Sequence, residues 1–170
     1  AVDGPHRRLS ATAAIACLVA AGMDPEPALE RMAAIQPPKG RGGSLDVAGI
    51  RIIDDSYNAN PDSVRFALER LREQAAGRRF ALLGDMLELG EDELSLHRGL
   101  AAACSGLDGV FCVGDGMAAL YDSLPAALQA GWWRDCGSLD VERVAATLAA
   151  GDAILVKASN RFFWQAGTVS

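Results

Sequence analysis

The spacing of apolar positions changes along this chain, and the changes divide it. Small apolar residues recur at helical intervals over residues 9–21, and a second such stretch covers residues 25–35. Gly22 stops the first, Asp24 caps the second and Pro25 suits its first turn, which predicts a helical hairpin. Residues 36–43, with Pro37, Pro38 and three glycines, have a linker's composition. Beyond them the period shortens. The stretches 45–47 and 50–53, apolar except at Asp46 and Arg51, flank Ala48-Gly49, which predicts a tight β-hairpin. Short, wholly apolar runs follow at 80–83, 109–113 and 153–156, separated by helical patterns at 62–74, 92–104, 117–123 and 141–149. Such alternation predicts an α/β fold, with a mostly parallel Rossmann-like sheet covered by helices on both faces, an edge hairpin and two helices in front. Ligands of such sheets sit outside the carboxyl ends of the strands.

Composition narrows the classes. A chain of 170 residues, 50% hydrophobic and 22% charged, suffices for one ordinary domain with a short appendage. A net charge of −6 argues against nucleic-acid binding, which needs surplus cations. A single nucleotide asks less, because backbone amides and one or two cations can hold it. Cys17, Cys104, Cys112 and Cys136 form no CxxC pair and have mostly apolar neighbours. That pattern predicts reduced, buried thiols, with neither a disulfide framework nor a metal site. His6-Arg7-Arg8 before an apolar run imitates a signal peptide. The chain does not begin with Met, however, Ser10 and Thr12 interrupt the run, and a second amphipathic stretch follows. The run is also too short to span a bilayer. The expected location is cytoplasmic, without membrane insertion.

The densest chemistry lies at Ile52-Ile53-Asp54-Asp55-Ser56-Tyr57-Asn58-Ala59-Asn60-Pro61-Asp62-Ser63. An apolar strand leaves through a polar elbow and enters a helix at Pro61, with Asn60 as a plausible cap. A carboxylate there suits ribose hydroxyls, while Asn amides and helix-terminal N–H groups suit phosphate oxygens. Capping alone needs one or two such residues. Asp54, Asp55, Tyr57, Asn58 and Asn60 together exceed that need and mark a candidate site.

The DDSYNANPDS stretch resembles the signature of the Mur ligases of cell-wall synthesis, in the form acting on D-alanyl-D-alanine. Lys39-Gly40-Arg41 resembles the family's hinge, residues 83–90 its LGDMLELG loop with His97 following, and residues 151–159 its GD…LVKGS ending. The resemblance implies an ATP- and Mg²⁺-dependent ligase that joins D-alanyl-D-alanine to UDP-MurNAc-tripeptide, with this chain clamping nucleotide and dipeptide. Residues 1–38 would be the helical end of the central domain, 39–43 the hinge, and 44–170 the C-terminal Rossmann-like domain. Arg41 would meet the β- or γ-phosphate, Asp55 or Asp54 the ribose, and Tyr57, Asn58 and Asn60 the nucleotide and acyl-phosphate side. Asp85 and Glu88 could orient the dipeptide's ammonium, and Lys157 and Ser159 its carboxylate. Asp85 and Glu88 could equally cap the following helix, and Lys157 could be a solvated strand end. His97, in mid-helix, reads as a structural imidazole.

Several features depart from the family pattern. Ala158 stands where Gly is usual, Ser10 where Asn is common, and the tail 160–170 with Phe162, Phe163 and Trp164 does not continue the expected helix. No GxxxxGKS/T loop occurs, so the triphosphate cradle, the Mg²⁺ ligands and the sugar-nucleotide site would belong to a central domain, and no catalytic residue is expected in this chain alone. Two other readings remain. Val113-Gly114-Asp115-Gly116-Met117-Ala118-Ala119 fits a dinucleotide fingerprint, with Asp135 at a suitable distance, and would suit NAD. A free-standing, non-catalytic nucleotide-binding module would also lack the phosphate loop.

Overall fold

The computed structural model describes residues 5–32, 34 and 38–159. The end of the second helical stretch, part of the linker and the tail 160–170 lie outside those residues. The chain divides into two compact units, Ala1–Pro38 and Lys39–Ser170. In the first, helix α1 (Pro5–Ala20) ends at Gly22, whose φ is +74°. Gly22 N–H bonds the Val19 carbonyl and Met23 N–H the Leu18 carbonyl, the paired closure that a left-handed glycine permits. Asp24 Oδ1 then accepts from Glu26 N–H at 3.1 Å, starting α2 (Glu26–Met32). Among the described residues no helix is long and apolar enough to cross a membrane.

Among the described residues the second unit is built on six strands: β1 (Gly43–Val47), β2 (Ile50–Asp54), β3 (Arg79–Gly84), β4 (Gly109–Val113), β5 (Gln129–Trp133) and β6 (Ala153–Lys157). Their order across the sheet is β1-β2-β6-β3-β4-β5. Only β1 and β2 pair antiparallel, through a two-residue turn in which Ala48 and Gly49 both have positive φ. The remaining pairs are parallel. The α/β expectation with an edge hairpin is therefore met.

Alternation along the strands separates two cores. Ala81, Leu83, Val110, Cys112 and Leu155 face α3 (Pro61–Arg72) and α5 (Asp115–Tyr121), packing on Val64, Leu68, Leu71, Met117 and Leu120. Phe80, Leu82, Phe111, Val113 and Ile154 face the other way, onto Val144 of α6 (Val141–Thr147). Each fully buried Leu or Phe contributes roughly 1.5–3 kcal/mol, so both layers are held mainly by apolar burial.

Three details differ from the sequence pattern. The stretch 92–104 is broken, with a 3₁₀ turn at Gly90–Asp92, helix α4 (Glu93–Arg98), Gly99, and a second 3₁₀ turn at Ala101–Cys104. Strand β5 was not foreseen. Its Gln-Ala-Gly-Trp-Trp sequence has little alternation, and it is recruited when Trp133 stacks on Phe111, which in turn stacks on Phe80. Among the thiols, Cys104 and Cys112 are buried as expected, whereas Cys17 is exposed and Cys136 half-buried. Burial pushes the Cys104 thiol up to about 12, which keeps it an unreactive packing group.

Parallel pairing aligns the strand exits. Asp54 lies beside Val156, Lys157 beside Leu83, and Gly84 beside Val113. The polar residues that follow β2, β6 and β3 consequently emerge along one margin of the sheet.

Candidate functional site

The elbow after β2 is fastened to the segment before β1. Asp54 Oδ1 accepts from Ser56 N–H at 3.2 Å and Ser56 Oγ at 2.5 Å, and Oδ2 accepts from Gly40 N–H at 3.1 Å. Gly40 returns a bond, its carbonyl accepting from Tyr57 N–H at 2.8 Å, while the Asp54 carbonyl accepts from Gly42 N–H. Gly40 and Gly42 have φ of +75° and +73°, a backbone that side chains disfavour. Between them Arg41 turns outward, its guanidinium carbon 3.9 Å from the centroid of the Tyr57 ring. This stacked cation is held close to its aromatic partner at an exposed rim.

Asp55 behaves differently from Asp54. Its backbone N–H extends the ladder to the Val156 carbonyl at 2.9 Å, and its Oδ2 accepts from Lys157 Nζ at 2.7 Å. The Asp55 side chain is still 29% exposed, whereas that of Lys157 is 2% exposed. The same ammonium donates to the Asn58 carbonyl at 2.9 Å. Asn58 is exposed, with its own Oδ1 accepting from Ala59 N–H. Asn60 caps α3 as the sequence suggested: its Oδ1 accepts from Ser63 N–H and its N–H donates to Ser63 Oγ, a reciprocal box.

The exit of β3 is buried at its first residue and exposed at its tip. Asp85 is 8% exposed, and its carboxylate accepts from Met117 N–H at 2.7 Å and Gly116 N–H at 3.3 Å, at the start of α5. Burial raises its pKa above the ordinary carboxylate range, and the two amides only partly offset that. His97 is fully buried nearby, its Nε2 accepting from Met86 N–H at 3.1 Å and its Nδ1–H donating to the Glu93 carbonyl at 2.7 Å. Both ring nitrogens are thus satisfied in the neutral tautomer. Glu88, by contrast, is exposed in the left-handed region at φ +64°.

The exit of β6 joins the other two. Ser159 N–H donates to the Asp85 carbonyl at 3.1 Å, and Ser159 Oγ accepts from Leu87 N–H at 2.9 Å and donates to the Ala59 carbonyl at 3.4 Å. Ala158 is fully buried in the Phe111 core, and its φ is not positive, so the Cβ that departs from the family pattern packs without strain.

The candidate residues named from sequence therefore stand on neighbouring strand exits, apart from Arg41, which precedes β1 where β1 starts beside the end of β2. Arg41, Tyr57, Asn58, Asn60 and Glu88 are exposed, Asp54 and Asp55 are half-buried, and Asp85, Lys157 and Ser159 are interior and already bonded. Sequence reasoning quoted Gly40 and Ser56 only within longer motifs, without a role of their own, and passed over the backbone of Ala59 and Leu87, all of which carry bonds of the elbow and its neighbouring loop.

The dinucleotide pattern at 113–119 has another use here. A Cβ on Gly114 would lie 2.2 Å from the Asp85 carboxyl carbon, and one on Gly116 would lie 2.8 Å from His97 Cε1. The glycines admit Asp85, and its carboxylate occupies the helix start that a pyrophosphate would need.

Comparison with known proteins gives consistent matches. Residues 40–160 match the family described as Mur ligase, glutamate ligase domain. Among curated proteins, the UDP-N-acetylmuramoyl-tripeptide–D-alanyl-D-alanine ligase of Mycobacterium bovis is 31% identical over 94% of this chain and 36% of its own length. The ligase of the same name from Rickettsia prowazekii is 31% identical over 81% of this chain and 31% of its own. The chain thus spans about a third of the length of these relatives. Among solved structures, MurF from Acinetobacter baumannii superposes with a TM-score of 0.82 at 25% identity, covering 96% of this chain and 37% of that one. The MurF ligase of Thermotoga maritima, solved in complex with ADP, gives 0.76 at 25% identity, covering 92% and 35%.

Proposed function

The chain belongs to the Mur ligase family, and from that membership we propose that it is the nucleotide- and dipeptide-clamping part of an ATP-dependent ligase joining D-alanyl-D-alanine to UDP-MurNAc-tripeptide. The observation that carries this reading is the single margin where half-exposed Asp55 and the Arg41–Tyr57 pair stand at the β2 elbow, with the end of β6 between that elbow and the β3 exit loop. Relatives of the same name and an ADP-bound relative support the substrate class and the nucleotide.

In the proposed reaction, the tripeptide's terminal carboxylate takes the γ-phosphoryl group of ATP, giving an acyl phosphate and ADP. The dipeptide's amine attacks that carbonyl, a tetrahedral intermediate forms, and phosphate leaves as the amide closes. Arg41 supplies a guanidinium fork for charge developing on the phosphates. Asp55 is the better ribose acceptor of the two aspartates, because both oxygens of Asp54 are spent on Ser56 and Gly40. Tyr57 and Asn58 line the nucleotide, and Asn60 fixes the helix behind them. On the acceptor side Glu88 is the exposed carboxylate suited to the dipeptide's ammonium. Asp85 and Ser159 shape the loop that carries it. Mg²⁺, like the phosphate loop, is assigned to a central domain from the family resemblance, and no step is routed through it here. That domain would bring the phosphate loop and UDP-MurNAc-tripeptide, residues 1–38 would be its helical end, and residues 39–43 would hinge. Closure then shields the acyl phosphate from water. The proposed setting is the cytoplasm.

The test is calorimetric titration with ADP, with a Mur central domain supplied in cis or in trans. Saturable binding that falls about tenfold or more in Asp55→Ala is expected, given the usual worth of a hydrogen bond to a charged group. Binding unchanged in that variant would overturn the ribose assignment. Nucleotide binding without any dipeptide-dependent turnover would favour a non-catalytic module instead.

A further inference from the structure

Lys157 is the most deeply buried charged side chain at the site, and its setting does not resemble that of a ligand waiting for substrate. Its ammonium is 2% exposed and donates to two points of one elbow, the Asp55 carboxylate at 2.7 Å and the Asn58 carbonyl at 2.9 Å. Both partners belong to the chain leaving β2, while Lys157 closes β6, the strand alongside. Desolvating an ammonium is costly, and an apolar side chain of similar length would usually serve a core as well. The charge is useful where it aims a carboxylate.

Resting on the nucleotide reading above, we propose that Lys157 is a positioning residue for nucleotide binding, acting through Asp55 rather than touching the dipeptide. Its ammonium holds Oδ2, so the Asp55 carboxylate is presented at the rim in one orientation, and the 29% of that side chain left exposed is what a ribose meets. The bond to Asn58 fixes the following turn at the same time, so the carboxylate and the nucleotide-lining backbone move as one. Ser159 performs a parallel task two residues on, tying Ala59 to Leu87. The end of β6 thereby sets the geometry of the loops on either side, without itself facing substrate.

A double-mutant cycle on ADP affinity tests this, again with a Mur central domain supplied. Lys157→Met and Asp55→Ala are each expected to weaken ADP about tenfold, and the double variant no more than either alone. The KM for D-alanyl-D-alanine should stay within twofold in Lys157→Met. Additive losses would overturn the proposal, because Lys157 would then act independently of Asp55. Unchanged ADP affinity with a raised dipeptide KM would also overturn it, by making Lys157 a dipeptide ligand. If Lys157→Met does not fold, Lys157→Gln, which keeps a neutral donor, enters the same cycle with the same expectations. Absence of saturable ADP binding by the wild type would overturn the nucleotide reading and this inference together, whereas wild-type binding with an additive cycle overturns the inference alone.

Discussion

Asp85, Gly114 and Gly116 form one packing unit in which the glycines are required by the carboxylate. A methyl on Gly114 would overlap Asp85 at 2.2–2.3 Å, and its φ of +121° is unsuitable for an L side chain. Gly114→Ala is therefore expected to destabilise the protein by about 3 kcal/mol or more, measured by urea unfolding. Asp85→Ala in the same chain should relieve the overlap and recover part of the loss, leaving the backbone strain. A loss under about 1 kcal/mol for Gly114→Ala would show that the loop after β3 yields easily, and that Asp85 is not held as described. From sequence alone the same glycines fitted a dinucleotide site, since the letters carry no record of which acid fills the turn. The elbow was more legible at this scale, because five polar residues in succession exceed what a cap requires. Their division into bonded and exposed groups was not legible, as it depends on Gly40 and Lys157, which lie far off in sequence.

Helix α3 and the β1–β2 hairpin are elements whose own residues explain them. Asn60, Pro61 and Ser63 supply a reciprocal cap and a prepared first turn; Asn60 as the cap and Pro61 at the helix start were read from sequence, and the return bond of Ser63 came with the structure. The hairpin turn has Ala48 at φ +53° and Gly49 at φ +80°, with Asp46 Oδ1 accepting from Gly49 N–H. Two consecutive positive φ values define the mirror-image turn that suits twisted strands, and alanine is a poor occupant of its first position. Ala48→Asn is expected to stabilise the protein by about 0.5–1 kcal/mol, seen as a higher urea midpoint with an unchanged slope. An unchanged or lower midpoint would mean that the turn does not adopt this geometry. Strand β5 and the broken helix at 90–104 were illegible for a common reason. Both make contacts that local periodicity does not record: Trp133 of β5 stacks on Phe111, and His97 of α4 bonds Met86, outside the broken stretch.

At the scale of the whole molecule, both apolar clusters lie between Ile50 and Ala158, inside the unit Lys39–Ser170. That unit contains the candidate residues as well. Residues 39–170 expressed alone should then unfold in a single cooperative transition, with a midpoint close to that of the whole chain, followed by circular dichroism. Loss of cooperativity on removing residues 1–38 would show that the sheet needs the helical pair. The amino-acid order by itself determined the α/β class, the hairpin, the cap of α3 and the segment bearing the candidate site, because each depends on residues within about a dozen positions of one another. Tertiary structure alone decided which carboxylate of the elbow stays half-exposed, why two glycines stand at the start of α5 and where Lys157 directs its charge. Those outcomes arise from parallel pairing, which sets positions a hundred residues apart on adjacent strand ends, and from burial, which makes an unpaired charge too costly to leave there.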